Sequence, residues 1–267
     1  MIGQSKLLEK LNKYNIDTFP RSTMLIGETG MGKHTITNYI KDNILHLPLL
    51  DITENLTKEY IDLIYLNPNP FIYIIDLTKI TEKESNVILK LVEEPLPISF
   101  LILLVDNKNN VLNTVLNRCI TFELEQYSRE ELKEFTKGCK NEDLILNIVK
   151  SPGKILNNNL DSYIEDLYNL CNTIVTKLNK ASYLNTLSIT DKLNYKDEYN
   201  KFDFIIFFDC LSYCYYKDFI ENKNARSLNF YLYIVESRKK LIDKRLNKEL
   251  FMDNFLSNLW LVAKKWN

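Results

Sequence analysis

The chain has 267 residues, a formal net charge of -1 and 26% charged residues. That length allows one large domain or two to three small ones with ample core, and the balanced charge excludes a chain-wide basic field for nucleic acid or membrane, though not a local basic surface. Apolar residues make up 45%, yet no apolar run reaches the length of a membrane span and MIGQSKLLEKL lacks a signal-peptide core, so a cytoplasmic protein without membrane contact is expected.

The five cysteines (119, 139, 171, 210 and 214) form no CxxC pair. Cys210 and Cys214, inside FIIFFDCLSYCYY, read as buried apolar thiols in a reduced protein rather than as metal ligands.

In chain order, Leu7, Leu8, Leu11 and Tyr14 share one helical face, which predicts a helix within Ile2 to Tyr14. TMLI (Thr23 to Ile26) is a short apolar run that feeds GETGMGKHT (Gly27 to Thr35), a match to the phosphate-loop spacing as far as its lysine. Gly27, Gly30 and Gly32 would let backbone amides turn inward around phosphate oxygens, at the N-terminus of the helix that follows. Lys33 would reach the β- and γ-phosphates of a nucleotide, ATP or ADP. An ordinary glycine turn, or an empty degenerate loop, is the alternative.

The loop has a defect. His34 stands where Ser or Thr normally supplies a hydroxyl to Mg²⁺, and a neutral imidazole is a poor ligand for a hard cation. Thr35 comes one residue late, rotated by about 100° around the helix. A merely solvated His34 has the same consequence.

LLDITENLTKEYIDLIYLNPNP (Leu49 to Pro70) predicts a strand, a helix capped by Thr57 and a turn. FIYIID (Phe71 to Asp76) predicts a buried strand ending in a carboxylate, the second acidic motif that would hold Mg²⁺. Asp76 is followed by Leu77 and Thr78, with no acid before Glu82, so the general base that activates water is missing. Asp76 could instead only cap the strand end.

EKESNVILKLVEEP (Glu82 to Pro95) predicts a helix, SFLILLV (Ser99 to Val105) a second buried strand, and VLNTVLNRC a short helix closing on Arg118 and Cys119. Alternation of strand and helix indicates an α/β fold with a parallel sheet. TFELEQYS (Thr121 to Ser128) predicts a strand and a cap, with Glu131 completing a capping box. Helices over Arg129 to Gly138, Asn141 to Lys150 and after Pro152 follow. No glycine or proline occurs from Leu160 to Asn267, where amphipathic runs predict an all-helical region.

Four motifs carry a family resemblance: IGQ (Ile2 to Gln4), KITEKESNVILKLVEEP (with Asn86, Leu89, Lys90, Glu93, Glu94 and Pro95 in register), TVLNRC (Thr114 to Cys119) and SPGKIL (Ser151 to Leu156). In order and spacing the chain resembles AAA+ clamp-loader subunits, nearest to the delta-prime type of bacterial DNA polymerase III. The resemblance implies an AAA+ phosphate-loop core over 1–125, a small helical lid over 126–160 and an all-α collar for oligomerisation over 161–267.

It also implies roles. Arg118 would be an arginine finger, acting in trans on a neighbour's ATP; without the resemblance it is a lone surface charge. Asn117 replaces the usual serine before it. Lys154 replaces a lid arginine that senses the γ-phosphate, keeping charge but losing the bidentate fork. The strand-end sensor falls on Asp106 or Asn107. Zinc, which many relatives hold with a cysteine quartet, is not expected, because no cysteine precedes Cys119.

Partners implied are other clamp-loader subunits in a hetero-oligomeric ring, a sliding clamp and primed DNA. The basic cluster Arg238, Lys239, Lys240, Lys244, Arg245 and Lys248 is interleaved with Asp243 and Glu249 and reads as a solvated helix face, with DNA contact as the alternative. The aromatic run Phe202 to Tyr216 reads as core or subunit interface. The competing function is a working ATPase motor subunit of a divergent clamp loader or another AAA+ machine.

Overall fold

The computed structural model describes residues 2–156, 160–178, 203–241 and 246–265. Phe202, Asp243, Lys244 and Arg245 lie outside the described residues, as do the side chains of Lys248 and Glu249. The chain forms two compact units, one of Met1–Leu132 with Ser151–Lys154, the other of Lys133–Lys150 with Ile155–Asn267. The three helices expected in the lid are thus distributed over both.

In the first unit, five strands alternate with helices: α1 (Ser5–Leu11), β1 (Ser22–Ile26), α2 (Lys33–Ile40), β2 (Leu49–Asp51), α3 (Lys58–Leu66), β3 (Ile72–Asp76), α4 (Glu82–Glu93), β4 (Phe100–Val105), α5 (Asn113–Leu116), β5 (Ile120–Glu123) and α6 (Arg129–Lys133). All strand pairs are parallel, in the order β2-β3-β4-β1-β5. The central strands β1, β3 and β4 are buried on both faces, which is why their sequences are continuous apolar runs.

Side-chain alternation sorts them into two layers. Leu101, Leu103 and Val105 pack with Ile88 and Leu91 of α4, while Phe100, Ile102 and Leu104 pack with Leu7 and Leu11 of α1 and Ile36 and Ile40 of α2. The register pairs Ile26 with Val105 and Asp76 with Leu104, so the phosphate loop, Asp76 and Asp106 follow three adjacent strand ends. Ligands of open parallel sheets bind at such an edge.

Several boundaries differ from the sequence expectation. Helix α1 begins only at Ser5, because Gly3 and Gln4 are left-handed, with φ of 72° and 64°. Strand β5 is short: its last ladder bond runs from Leu124 N–H to the Ile26 carbonyl, and Glu125 then pairs with a side chain. Helix α6 stops at Lys133, whose carbonyl accepts from both the N–H and the hydroxyl of Thr136. A π-helical turn, Lys41–Leu45, extends α2 and ends at His46 with φ of 51°; nothing in the periodicity indicates it.

The second unit contains α7 (Glu142–Ile148), α9 (Leu160–Leu178), α10 (Phe204–Asn222), α11 (Ala225–Lys240) and α12 (Lys248–Lys265), while α8 (Pro152–Ile155) starts in the first. Helix α10 packs on α9, α11 and α7. Phe207, Phe208, Cys210, Leu211, Cys214 and Tyr215 are buried, as the apolar run predicts, while Tyr216 is 47% exposed. The Phe208 ring lies 4.5 Å from Phe255 and Tyr215 lies 4.9 Å from Phe230. Arg238 leaves the solvated face to pair with Asp209 through two nitrogens, whereas Lys239 and Lys240 are exposed. Among the described residues, no helix is long and apolar enough to cross a membrane.

Candidate functional site

The loop after β1 is anchored at its start by the Gly27 N–H, which donates to the Val105 carbonyl at 2.9 Å. Gly30 and Gly32 adopt φ of 87° and 95°, which a side chain would strain. Lys33 opens α2 and is only 8% exposed. Its ammonium donates to the Gly27 carbonyl and to Asp106 Oδ1, and Thr29 Oγ1 donates to Asp106 Oδ2 at 2.8 Å. A carboxylate of the chain itself therefore sits on the loop lysine, the charge and hydrogen-bond role that a phosphate oxygen would fill. Between the two sensor candidates it is Asp106 that joins the loop. Asn107 instead accepts from Asn109 N–H and caps a 3₁₀ turn.

Asp76 is buried and engaged locally. Its Oδ1 accepts from the Thr78 N–H at 3.0 Å and the Thr78 hydroxyl at 2.6 Å, and its own N–H donates to Thr53 Oγ1 at 2.9 Å. These are the bonds of a strand-end cap. His34 and Thr35 are exposed, and Thr37 Oγ1 is spent on the Lys33 carbonyl. The loop geometry fits a phosphate once Lys33 exchanges Asp106 for it; the residue after Lys33 offers Mg²⁺ no hydroxyl. Among the described residues, no group of three or more His, Cys, Asp and Glu could hold a metal ion.

The SPGK turn closes on the loop. Gly153 N–H donates to the Gly30 carbonyl at 2.8 Å, and a Cβ at Gly153 would lie 2.8 Å from Gly30 Cα. The Lys154 backbone nitrogen and Cγ flank Gly30, and the buried Ser151 Oγ has no hydrogen-bond partner among the described residues. Sequence reasoning named Lys154 as a sensor but gave the two glycines no mutual role; a contact between backbones 123 positions apart leaves no local signal.

Two further supports were legible only as motif. The Gln4 side-chain amide donates to the Glu125 carbonyl and accepts its N–H, both at 2.7 Å. Tyr127 packs where a Gly3 side chain would go and donates to the Met31 carbonyl at 3.3 Å; burial raises its pKa and keeps it a donor. Thus IGQ ties the chain start to the segment beneath the phosphate loop.

Arg118 follows α5. Its Nη1 donates to the Thr114 carbonyl at 2.8 Å, its Nη2 lies 3.2 Å from Glu93 Oε1, and its side chain is 41% exposed. Neither partner belongs to the phosphate loop. Beside it, burial pushes the Cys119 thiol up to about 11, so it is inert at neutral pH.

This geometry can be set beside known proteins. A family model described as "DNA polymerase III, delta subunit" matches residues 50–128. A curated relative, DNA polymerase III subunit delta' of Haemophilus influenzae, is 26% identical over 155 residues, which is 55% of this chain and 46% of that protein. The matched stretch thus spans less than half of the relative. Among solved structures, a DNA polymerase III gamma subunit-related protein of Thermotoga maritima aligns over 97% of this chain and all of that one, with 14% identity and a TM-score of 0.47. A RuvB variant of Thermotoga maritima aligns over 84% of this chain and 78% of that one, with 16% identity and a TM-score of 0.49.

The chain is an α/β protein, with a parallel-sheet module that carries a phosphate-loop-type turn and is followed by helices. Its motifs, the family-model match and the curated relative together make it similar to delta-prime subunits of DNA polymerase III.

Proposed function

We propose that this chain is a delta-prime-like subunit of a clamp loader in DNA replication, with a degenerate ATP site of its own and an arginine finger, Arg118, offered to a neighbouring ATPase subunit. It would sit in a hetero-oligomeric ring in the cytoplasm and help load a sliding clamp on primed DNA. The observation that carries this reading is the commitment of Lys33 to Asp106 and the Gly27 carbonyl. His34 in place of a hydroxyl residue, and the lack of an acid beside Asp76, add to it. ATP or ADP, with Mg²⁺ near Asp76, would bind weakly or statically, and no zinc is required. The three-part division at 126 and 161 belongs to the same proposal.

The test is ATP turnover by the purified chain, alone and with companion ATPase subunits. No turnover alone, together with a loss of roughly 10³-fold at the served site in Arg118→Ala while assembly persists, is expected. Robust turnover alone that disappears in Lys33→Ala would make the chain a motor subunit instead.

A further inference from the structure

The segment KLVEEP supplies a family motif, yet the proposed function gives its glutamates no task. In the structure Glu93 is the last residue of α4, with Pro95 just beyond. A carboxylate at a helix C-terminus meets the negative end of the helix dipole and favours a cation nearby. The cation present is Arg118, 3.2 Å away. The helix end that carries Glu93 is braced: Tyr65 OH donates to the Glu94 carbonyl, and Lys90 pairs with Asp62 at 2.8 Å.

Arg118 is held on its other side by the Thr114 carbonyl, one of the four that a helix end leaves without an intrahelical partner. Both terminal guanidinium nitrogens therefore bind their own subunit.

We propose that Glu93 is the resting counter-ion of Arg118, a positioning residue that parks the guanidinium until the phosphate of a neighbouring nucleotide takes Glu93's place. This inference rests on the arginine-finger reading above. The magnitude suits a reversible latch. Both side chains are partly exposed, at 41% and 49%, and such pairs bias an equilibrium by at most about fivefold. The much larger charge-assisted contact to phosphate displaces it.

The experiment has two arms. In the isolated full-length chain, phenylglyoxal modification of Arg118, followed by mass spectrometry, reads the pair directly. Glu93→Gln is expected to accelerate labelling by up to about fivefold, and Glu93→Asp by less. In the assembly with companion ATPase subunits, Glu93→Gln is expected to raise kcat/KM for ATP by a similar factor, and to have no effect in an Arg118→Ala background.

Unchanged labelling would overturn the pairing. Faster labelling with unchanged assembly kinetics, while Arg118→Ala still collapses turnover, would overturn the latch and leave the finger standing. A fall in kcat/KM would make Glu93 an aiming residue, against the proposal. An equal effect with and without Arg118 would reduce Glu93 to a structural role. Full assembly turnover in Arg118→Ala would remove the finger and the latch together.

Discussion

The Lys33–Asp106 pair is what an anion entering the loop would have to displace. Spacing alone found Gly27, Gly30, Gly32 and Lys33, because a phosphate loop is a local device whose residues are neighbours in sequence. Spacing could not choose between Asp106 and Asn107, since the choice depends on where β4 ends against β1, a matter of register. With Val105 opposite Ile26, Asp106 is the first residue past the sheet and reaches Lys33. Asp106→Asn removes the built-in negative charge, while the amide oxygen can still accept from Lys33, which is 8% exposed and also donates to the Gly27 carbonyl. An incoming phosphate then no longer competes with a carboxylate. The pair lies between the surface and buried limits, so the gain is put at about 2 kcal/mol, or roughly 30-fold in ADP affinity. Titration with a fluorescent ADP analogue checks it, and Lys33→Ala in the same background should abolish the gain. Equal affinity of Asp106→Asn and wild type would mean that Asp106 does not occupy the phosphate's place.

Elements were legible where a local signal sets them. Thr57 was read as the cap of α3, and its side chain accepts from Tyr60 N–H. Ser128 and Glu131 form the expected reciprocal box, although the helix they start is five residues long. The overrun has a reason: hydrophobic periodicity continues through Phe135, whereas the Thr136 hydroxyl competes for the Lys133 carbonyl and ends the helix, and a hydrophobic pattern does not report that competition. Helix α10 offers a quantitative case. Asp203 caps it by accepting from the N–H groups of Ile205 and Ile206 at 2.9 and 3.1 Å, while its own N–H donates to the Tyr163 hydroxyl. Asp203→Ala keeps the backbone donor but loses both caps, which should lower stability by about 1 kcal/mol, with Asp203→Asn retaining most of it. The urea midpoint of helical signal measures this; an unchanged midpoint would mean that the cap does not hold the start of α10.

At the scale of the whole chain, the sequence announced a change of character near Leu160, because glycine and proline vanish there. It did not announce that 133–150 would join the C-terminal helices while Ser151–Lys154 returns to the first unit, since that return rests on the non-local bond from Gly153 to Gly30. Each unit has its own core and its own buried thiols: Cys119 in the first, and Cys171, Cys210 and Cys214 in the second. Burial pushes Cys119 to about 11 and raises Cys171 strongly, so at pH 8 these thiols resist alkylation while folded. Half-exposed Cys139 should react first. If the units unfold separately, damage to one core should not unprotect the other's thiol. Phe208→Ala empties a fully buried site against Phe255 and Phe207 and should cost the second unit about 3–5 kcal/mol. With a urea dependence of about 2 kcal/mol per molar, the labelling midpoint of Cys171 should fall by roughly 2 M. Pulsed iodoacetamide labelling, read by mass spectrometry across a urea series, follows both reporters at once. Cys119 should keep its midpoint in the variant; if it falls in step with Cys171, the two units unfold as one cooperative body.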